Sequence, residues 1–562
     1  MNPIPSVDYI RILPELILVA FGVAVMMIDP LLKPGASRKG LGYLSLAGTL
    51  CAIGAAFYQA AELARDPQFG APGWFGMVRA DSFAIFFHIL IPAISAICIL
   101  ASLEYLEIQK INTGEYYGLI LFGTVGMVLM SSAVELVLIF IALEISSIST
   151  YILAGYRRRT ASGTESSIKY FLLGSFATAF FLYGVALMFG ATGSTSIDEI
   201  SIAVGTGRVP GVLAFMAVAL MIVGLGFKVA SAPFHIWTPD VYEGAPAPVV
   251  ALMSTAPKAA AFAVMLRVLF ATTSTGWYPL IWISAALSMT IGNFGALIQN
   301  NVKRMLAYSS IAHAGYLLVA FAAQNELGMS AAMFYTASYA AMNVGAFAVI
   351  SHIGSTGERY VTVDDYAGLG RRSPLLAFTL TVFLLSLIGI PATAGFLGKY
   401  YVFTAAISGH AGSLIWLAII GVINSAVASY YYLRLIVVMY MREPVLAEAP
   451  VAATPAMKLA LLLTAVATIY LGVIPGKVID YATLGALDLK PKVQAAGKFA
   501  IRVTFSPTAQ IPMVETPAVQ TPTASVQLEY EKREVPKATP VPDFHPAYAT
   551  RQVPSATPTP AK

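Results

Sequence analysis

The sequence contains few charged residues for its length. Asp, Glu, Lys and Arg make up 11% of its 562 residues, whereas 57% are hydrophobic. A soluble globular protein carries about 25% charged residues, so this composition excludes an ordinary water-soluble enzyme. The mean hydropathy of +0.74 points the same way. We therefore expect an integral membrane protein.

Cysteine and the usual cofactor motifs are also scarce. Cys51 and Cys98 lie in separate apolar runs, and without a C-x-x-C pair no iron–sulfur or structural zinc site is predicted. The six histidines form no ligand pair at helical spacing. Neither a complete G-x-G-x-x-G nor a P-loop is present. We therefore expect no metal or cofactor site in this chain.

Long apolar runs, in contrast, are abundant. A helix needs about 20 apolar residues to cross a bilayer, and we count fourteen such runs. They predict an all-α integral membrane protein with about fourteen transmembrane helices. The runs lie near 12–29, 41–60, 81–102, 117–133, 135–155, 167–190, 211–238, 247–270, 278–299, 304–323, 328–352, 374–408, 412–440 and 457–475.

Basic residues are distributed unequally between the two sets of loops. Fourteen Lys and Arg residues lie on one side, and four lie on the other: Arg11, Arg65, Arg79 and Arg208. The positive-inside rule places the first set in the cytoplasm and both termini outside it. The basic residues behind the net charge of +5 therefore indicate the orientation of the chain in a cell membrane. They do not indicate a nucleic-acid partner.

Four ionisable residues lie well inside predicted spans. They are Glu144, Lys228, Lys258 and Lys399. A charge at the centre of a transmembrane helix costs about 2.5–3.5 kcal/mol on insertion scales, so such residues are kept by an opposite charge, a hydrated cavity or loss of the charge. We interpret the four as a proton path. The alternative is a set of structural ion pairs that fix helix packing.

Three further residues are accessory candidates. His313, in "SSIAHAGYLL", belongs to the residue type that titrates near neutral pH, although a core histidine with satisfied hydrogen bonds is the alternative. Glu165 and Lys169 are one helical turn apart and can pair near a membrane edge. That pair is either part of the path or a plain surface contact.

Two of the buried lysines lie in spans that contain a proline. Lys228 precedes Pro233 in "FKVASAPFHIW", and Lys399 follows Pro391 in "GIPATAGFLGKYY". Proline removes a backbone donor and predicts a helix break, and paired broken helices are typical of transporters. Freed backbone groups must find partners in protein or water. We therefore expect each break to supply the polar surroundings that a buried lysine needs.

The end of the chain has a different composition. From about residue 505 it is rich in Pro, Thr, Ala and Val, as in "TPAVQTPTASVQ". A segment of this kind cannot bury a core, and we predict that it is largely disordered or extended. It is either a dispensable tail or a docking segment for a partner.

Several motifs resemble a known family. "FKVASAPFHIWTPDVYEGAPAPVVALMSTAPKAAAF" resembles the signature of the antiporter-like subunits of respiratory complex I, the type I NADH–quinone oxidoreductase, in the form found in the subunit N (subunit 2) family. "NVKRMLAYSSIAHAGYLL" and "GIPATAGFLGKYYVF" are similar to the same family. The resemblance covers about residues 10–475 and does not include the tail.

The resemblance implies a fold of fourteen transmembrane helices. Spans four to eight and nine to thirteen would form two inverted five-helix repeats, with spans 7 and 12 broken. The implied divisions are 1–115 for the first three helices, 116–272 and 273–440 for the two repeats, 441–480 for the last helix, and 481–562 for a Pro/Thr-rich tail that is disordered or extended.

The resemblance also implies roles for single residues. Glu144 matches the glutamate of the fifth helix in the family, and Lys228, Lys258 and Lys399 match the lysines of the seventh, eighth and twelfth helices. His313 matches a bridging residue between half-channels. The sister subunit M usually carries glutamate in the twelfth helix, so Lys399 fits subunit N better.

The implied function is proton translocation coupled to electron transfer from NADH to quinone. Glu144 would favour protonated Lys228 by Coulomb attraction, and the proton would pass through Lys258 and His313 to Lys399 for release. NADH, FMN, iron–sulfur clusters and quinone would belong to partner subunits of the peripheral arm and membrane. This chain would be part of the respiratory-chain enzyme without a redox centre of its own.

Two other hypotheses about the function are open at this point. One is a subunit of a multi-subunit cation/proton antiporter or of a membrane-bound hydrogenase, which share the lysine pattern. The other is a structural spacer that joins neighbouring subunits without a proton path. The presence of the lysines argues against the spacer.

Overall fold

The computed structural model describes residues 5–33, 35–111, 113–158, 160–272, 275–354, 360–408, 413–445 and 452–489. Within these ranges the regular secondary structure is helical. Isolated β-bridges connect some of the loops, and no β-strand is formed in the described residues. The predicted all-α class is confirmed. The α-helices are α1 Ser6–Arg11, α2 Leu13–Ile28, α3 Lys39–Arg65, α4 Ser82–Ile108, α5 Gly114–Ser132, α6 Leu136–Ala154, α7 Ala161–Thr192, α8 Ile197–Gly205, α9 Gly211–Val229, α10 Thr238–Gly244, α11 Ala247–Met253, α12 Ala256–Ala271, α13 Tyr278–Leu297, α14 Val302–Ala322, α15 Glu326–Ile353, α16 Leu369–Arg372, α17 Pro374–Ile388, α18 Ala394–Ile407, α19 Ser413–Met441, α20 Pro455–Val473 and α21 Gly476–Asp488.

Helix length and composition agree with a membrane protein. Thirteen helical segments in the described ranges are long and apolar enough to cross a bilayer, and α17 is a shorter apolar helix. α17 and α18 together occupy the run predicted near 374–408. The count of fourteen spans and the two inverted repeats stay predictions.

Three helices form the interior of the bundle. Almost every residue of α12, α14 and α15 is buried, whereas α7, α19 and α20 expose large apolar side chains, as expected for surfaces that face lipid. Small residues allow close helix contact: a Cβ on Gly292 of α13 would approach the Ala312 nitrogen of α14 to 2.5 Å. The helices that carry Lys258 and His313 therefore lie away from the lipid-facing surface.

Both predicted helix breaks are present. α9 ends at Val229, Ala230 adopts a left-handed φ of 59°, and α10 begins only at Thr238, beyond Pro233. α17 ends at Ile388, and Gly389, with φ 94°, leads through Pro391 to α18. The left-handed residue ends the helix in each case, three residues before Pro233 and two residues before Pro391.

A third break was not predicted. The run near 247–270 consists of α11 and α12, which are separated at Ser254 and Thr255. Pro257, in the first turn of α12, explains the break because proline cannot donate the hydrogen bond that would continue α11.

The predicted boundary of the tail is wrong in part. Residues 481–488 belong to α21, which packs against α4 and α15 and buries Ala482 and Ala486. Apolar residues at helical spacing give this segment a face to bury, so it is not disordered or extended. The rest of the predicted tail, residues 490–562, lies outside the described residues.

Candidate functional site

Lys399 lies against the end of the preceding half-helix. It is in the second turn of α18 and is 5% exposed. Its ammonium donates hydrogen bonds to the carbonyls of Leu387, at 3.1 Å, and Ile388, at 2.8 Å. The last carbonyls of a helix have no intrahelical donor and carry partial negative charge. The break therefore supplies the polar surroundings that the sequence predicted for this lysine.

A polar cluster surrounds the same ammonium. Ser425 of α19 accepts a third hydrogen bond from Lys399, at 2.8 Å, and the ring of Tyr316 lies 4.8 Å from the nitrogen. The side-chain amide of Asn293 donates to the Tyr316 hydroxyl at 3.3 Å and to Asn424 Oδ1 at 3.3 Å. The Lys399 ammonium thus lies beside a group of buried side chains that can donate and accept hydrogen bonds.

Lys258 is held by one serine of α14. Its ammonium donates to Ser310 Oγ at 2.6 Å and to the Ser310 carbonyl at 3.1 Å. The Tyr339 hydroxyl of α15 donates to the same Oγ at 2.8 Å. These residues, with Thr255 and Thr336, line a small cavity. Lys258 has no carboxylate partner in the described part of the chain.

His313 lies one turn after Ser310 on α14 and is 2% exposed. Its Nδ1 is 2.7 Å from the Tyr335 hydroxyl, and its Nε2 is 3.4 Å from the Tyr432 hydroxyl. Both ring nitrogens therefore have a partner that can donate or accept a proton.

One face of α14 joins these groups. Ser310, His313 and Tyr316 recur every three residues, so they project from the same side of the helix with a rise of about 4.5 Å per step. Ser310 contacts Lys258 and Tyr316 lies beside Lys399. The structure therefore brings Lys258, His313 and Lys399 together along a single row.

Glu144 and Lys228 meet indirectly. The Lys228 ammonium donates to Ser147 Oγ at 2.9 Å, and Ser147 is one turn from Glu144 on α6. Glu144 acts electrostatically on Lys228, but the two form no ion pair, and Glu144 Oε1 has no hydrogen-bond partner among the described residues. Ser147 thus binds the Lys228 ammonium, and the attraction of Glu144 for that lysine, which the family resemblance implied, acts without a direct contact.

Lys228 lies apart from this row. No hydrogen bond between described side chains joins Lys228 to Lys258, although their helices α9 and α12 pack together. Lys228 is buried immediately before the end of α9, where Ala230 begins the break. A proton that moves between the two lysines therefore needs water or a side-chain rearrangement.

The accessory pair Glu165 and Lys169 is present and belongs to a larger network. Lys169 lies 2.6 Å from Glu165 and 2.6 Å from Asp240 of α10. Arg304 lies 2.8 Å from Asp240 and 2.8 Å from Glu243. Burial works to raise the pKa of Asp240, but the hydrogen bond from Lys169 and the charge of Arg304 outweigh it and hold that pKa below its ordinary value. The acids of "TPDVYEG" thus tie α10 to α7 and α14.

Two buried pairs of ionisable side chains were not predicted from the sequence. Arg267 and Asp81 form a bidentate ion pair, at 2.7 and 3.0 Å, with both side chains at most 5% exposed. Glu15 and His88 face each other across 3.8 Å. Glu15 in "LPELILVAFG" and His88 in "FAIFFHILIP" interrupt apolar runs, so the same positional test that found Glu144 would have found them.

Polar partners of the lysines were also missed. Ser310, Tyr316 and Ser425 are ordinary residues of transmembrane helices, and no local pattern separates them from structural serines and tyrosines. No cluster of three or more His, Cys, Asp or Glu side chains that could hold a metal ion occurs in the described ranges.

Comparison with known proteins identifies the class. Residues 133–428 match the family model described as NADH:quinone oxidoreductase/Mrp antiporter, TM. The chain is 63% identical over 487 residues to NADH-quinone oxidoreductase subunit N 2 of Koribacter versatilis, an alignment that spans 86% of this chain and 98% of that protein.

Solved structures extend the comparison. A chain of respiratory complex I from Thermus thermophilus with bound aureothin is 36% identical, with a TM-score of 0.70 over 84% of this chain and 99% of that one. A chain of the Mrp complex from Dietzia sp. is 19% identical, with a TM-score of 0.75 over 87% of this chain and 99% of that one, which shows a shared fold alone. The chain therefore belongs to the family of NADH-quinone oxidoreductase subunit N.

Proposed function

We propose that this chain translocates protons across a cell membrane as a subunit of NADH–quinone oxidoreductase. Membership of the subunit N family supports the assignment. The observation that carries it is the buried row on α14, in which Ser310, His313 and Tyr316 lie between Lys258 and Lys399. Buried ionisable groups in series are what a proton path through a bilayer requires.

Loading begins in this proposal at Lys228. Glu144 lies one turn from Ser147, the serine that binds the Lys228 ammonium, so its negative charge stabilises the protonated lysine across that turn. A movement that increases the separation of α6 and α9 weakens this attraction. The proton then passes from Lys228 to Lys258 through water or a side-chain rearrangement.

Transfer continues along α14. Lys258 lies in the first turn of α12, where the helix dipole opposes a positive charge, whereas Lys399 lies at the carbonyl end of α17, where the dipole supports one. This difference favours movement from Lys258 toward Lys399. His313 lies between them and can take a proton on one nitrogen while it releases one from the other.

Release takes place in this proposal from Lys399. Ser425, which accepts a hydrogen bond from the ammonium, adjoins the polar cluster that contains Asn424 and Asn293. These side chains can guide water to the lysine. In this proposal both termini lie outside the cytoplasm, as the distribution of basic loop residues predicts, and the proton is released on that side.

Electron transfer belongs to other subunits in this proposal. NADH, FMN, iron–sulfur clusters and quinone would be bound by the peripheral arm and neighbouring membrane subunits, with this chain converting the energy of that reaction into proton movement. Its partners are therefore adjacent antiporter-like and small membrane subunits and the surrounding lipid.

The test is purification through a tag on this chain, followed by reconstitution in proteoliposomes. We expect flavin and iron–sulfur subunits to copurify and NADH oxidation by quinone to acidify the compartment that faces the termini. His313→Gln should reduce this acidification, while the substitution of His410, which lies outside the described residues, is a control of the same residue type.

Two results would contradict the proposal. Copurification with small antiporter subunits in place of flavin and iron–sulfur subunits would assign the chain to a cation/proton antiporter. Normal pumping by assembled complexes that lack both Lys258 and His313 would assign it to a structural spacer.

A further inference from the structure

Four helices outside the lysine row meet at a second group of buried polar side chains. Glu15 comes from α2, Gln59 from α3, His88 from α4 and Ser132 from α5. Glu15 is 5% exposed and the other three are fully buried. None of them contacts the lysines of the proton path. Their position in an apolar bundle requires that their hydrogen bonds be made within the protein.

Gln59 fixes the state of the histidine. Its Nε2 donates to the carbonyls of Ile10 and Arg11, both at 2.9 Å, so the amide orientation is set by two acceptors. The opposite atom, Oε1, must then accept from His88 Nδ1, which is 2.8 Å away. In the neutral ring the proton therefore lies on Nδ1, and Nε2 carries a lone pair.

That lone pair faces a carboxyl group. His88 Nε2 and Glu15 Oε1 are 3.8 Å apart, and His88 Nε2 and Glu15 Oε2 lack hydrogen-bond partners in the described part of the chain. Ser132 donates to Glu15 Oε1 at 3.3 Å. Glu15 Oε1, which faces Nε2, already accepts from Ser132, so the buried atoms without a donor are His88 Nε2 and Glu15 Oε2. One added proton supplies a donor to this pair of side chains, and the two groups share it when their 3.8 Å separation shortens to hydrogen-bond distance.

We propose that Glu15 and His88 form one buried proton-binding site, separate from the lysine row, that takes up and gives up a single proton shared by the two side chains. The ligand is the proton itself. Because the two buried groups are 3.8 Å apart, the charge of each acts strongly on the other, and the two titrate as one unit.

Nearby charges link this site to the helix that carries Lys258. Arg267 of α12 donates from Nε to the carbonyl of Ser131, at 2.9 Å, and Ser131 adjoins Ser132. A change of charge at the site therefore acts on α12 through two neighbouring serines. The charged groups on the surrounding elements already have partners: Asp8 pairs with Arg11 on α1, Asp81 pairs with Arg267 of α12, and Asp488 of α21 accepts from the Ser82 nitrogen.

The test is pH-difference infrared spectroscopy on the whole assembled complex. Glu15→Gln and His88→Asn are compared with the unchanged protein, because His88→Asn keeps a donor toward Gln59. Glu15→Gln should remove the pH-dependent infrared band of the carboxyl group, and His88→Asn should remove that of the imidazole. The two bands should have the same midpoint pH. Glu199→Gln, at an exposed carboxyl, should lose a contribution whose midpoint is unaffected by His88→Asn.

A milder variant covers the case in which these changes prevent assembly. Ser132→Ala keeps both ionisable groups and removes one donor to Glu15, so the carboxyl and imidazole bands should move together to a new midpoint. Two lost contributions with different midpoints, no lost contribution, or unequal displacement by Ser132→Ala would each overturn the shared proton. None of these outcomes depends on whether the lysine row pumps protons.

Discussion

The ammonium of Lys399 donates a 2.8 Å hydrogen bond to the carbonyl of Ile388, the last residue of α17. The helix break thus provides the binding site for the charge that follows it in the sequence. At the other break the arrangement differs, because Lys228 binds Ser147 of a separate helix. The two broken helices therefore hold their lysines by different means.

Replacement of Lys399 by alanine should abolish or sharply reduce proton pumping while the complex still assembles. The change removes the titratable group but leaves the break, which is set by Gly389 and Pro391. Pumping is measured by acidification in proteoliposomes during NADH oxidation. Lys458→Ala, at an exposed position in the first turn of α20, should pump normally. Full pumping by the Lys399 variant would make that lysine structural.

Glu144 and Lys228 should act on one step. Glu144→Gln removes the charge that supports protonated Lys228, and Lys228→Ala removes the proton carrier, so each should lower pumping. The double variant should be little worse than either single variant, because both affect the same loading step. Additive losses would show that the residues act independently.

Ser147→Ala tests the contact that connects this pair. It removes the 2.9 Å hydrogen bond to Lys228 but keeps both charges. A hydrogen bond to a charged group contributes about 1.5–3 kcal/mol, so we expect a partial loss of pumping. When Ser147→Ala is combined with Lys228→Ala, pumping should fall little further than in Lys228→Ala alone. Ser429→Ala, at a half-buried position on α19 where the hydroxyl donates to the Ala426 carbonyl of the same helix, is the matched control.

Removal of residues 505–562 should leave assembly and pumping near normal. The segment lacks a core-forming pattern, and the alignment with the Koribacter relative spans 98% of that protein but 86% of this chain. A longer truncation that also removes α21 should reduce assembly, because the Asp488 carboxylate accepts from the Ser82 nitrogen at 2.8 Å. Loss of the complex after the shorter truncation would identify the tail as a docking segment.

A reporter fused after Lys562 should be active only outside the cytoplasm. The expectation follows from the fourteen basic residues on one set of loops and four on the other, together with an even number of spans. Activity in the cytoplasm would show that one span has been miscounted.

The sequence alone determined the class of protein and the position of most charges along it. Apolar runs predicted a helical membrane protein, and Glu144, Lys228, Lys258 and Lys399 were conspicuous because a charge in such a run is costly. The two breaks followed from proline, whose effect is local. Each of these features can be recognised within a few residues of chain.

The tertiary structure decided which side chains face those charges. Ser147, Ser310 and Ser425 lie 81, 52 and 26 residues from the lysines that they bind. Serine is common in transmembrane helices, and its role depends on how each helix is rotated and packed against its neighbours. The Glu15–His88 site has the same origin, because four helices must converge before either group lacks a partner. Long-range packing, which has no local signature, sets these contacts.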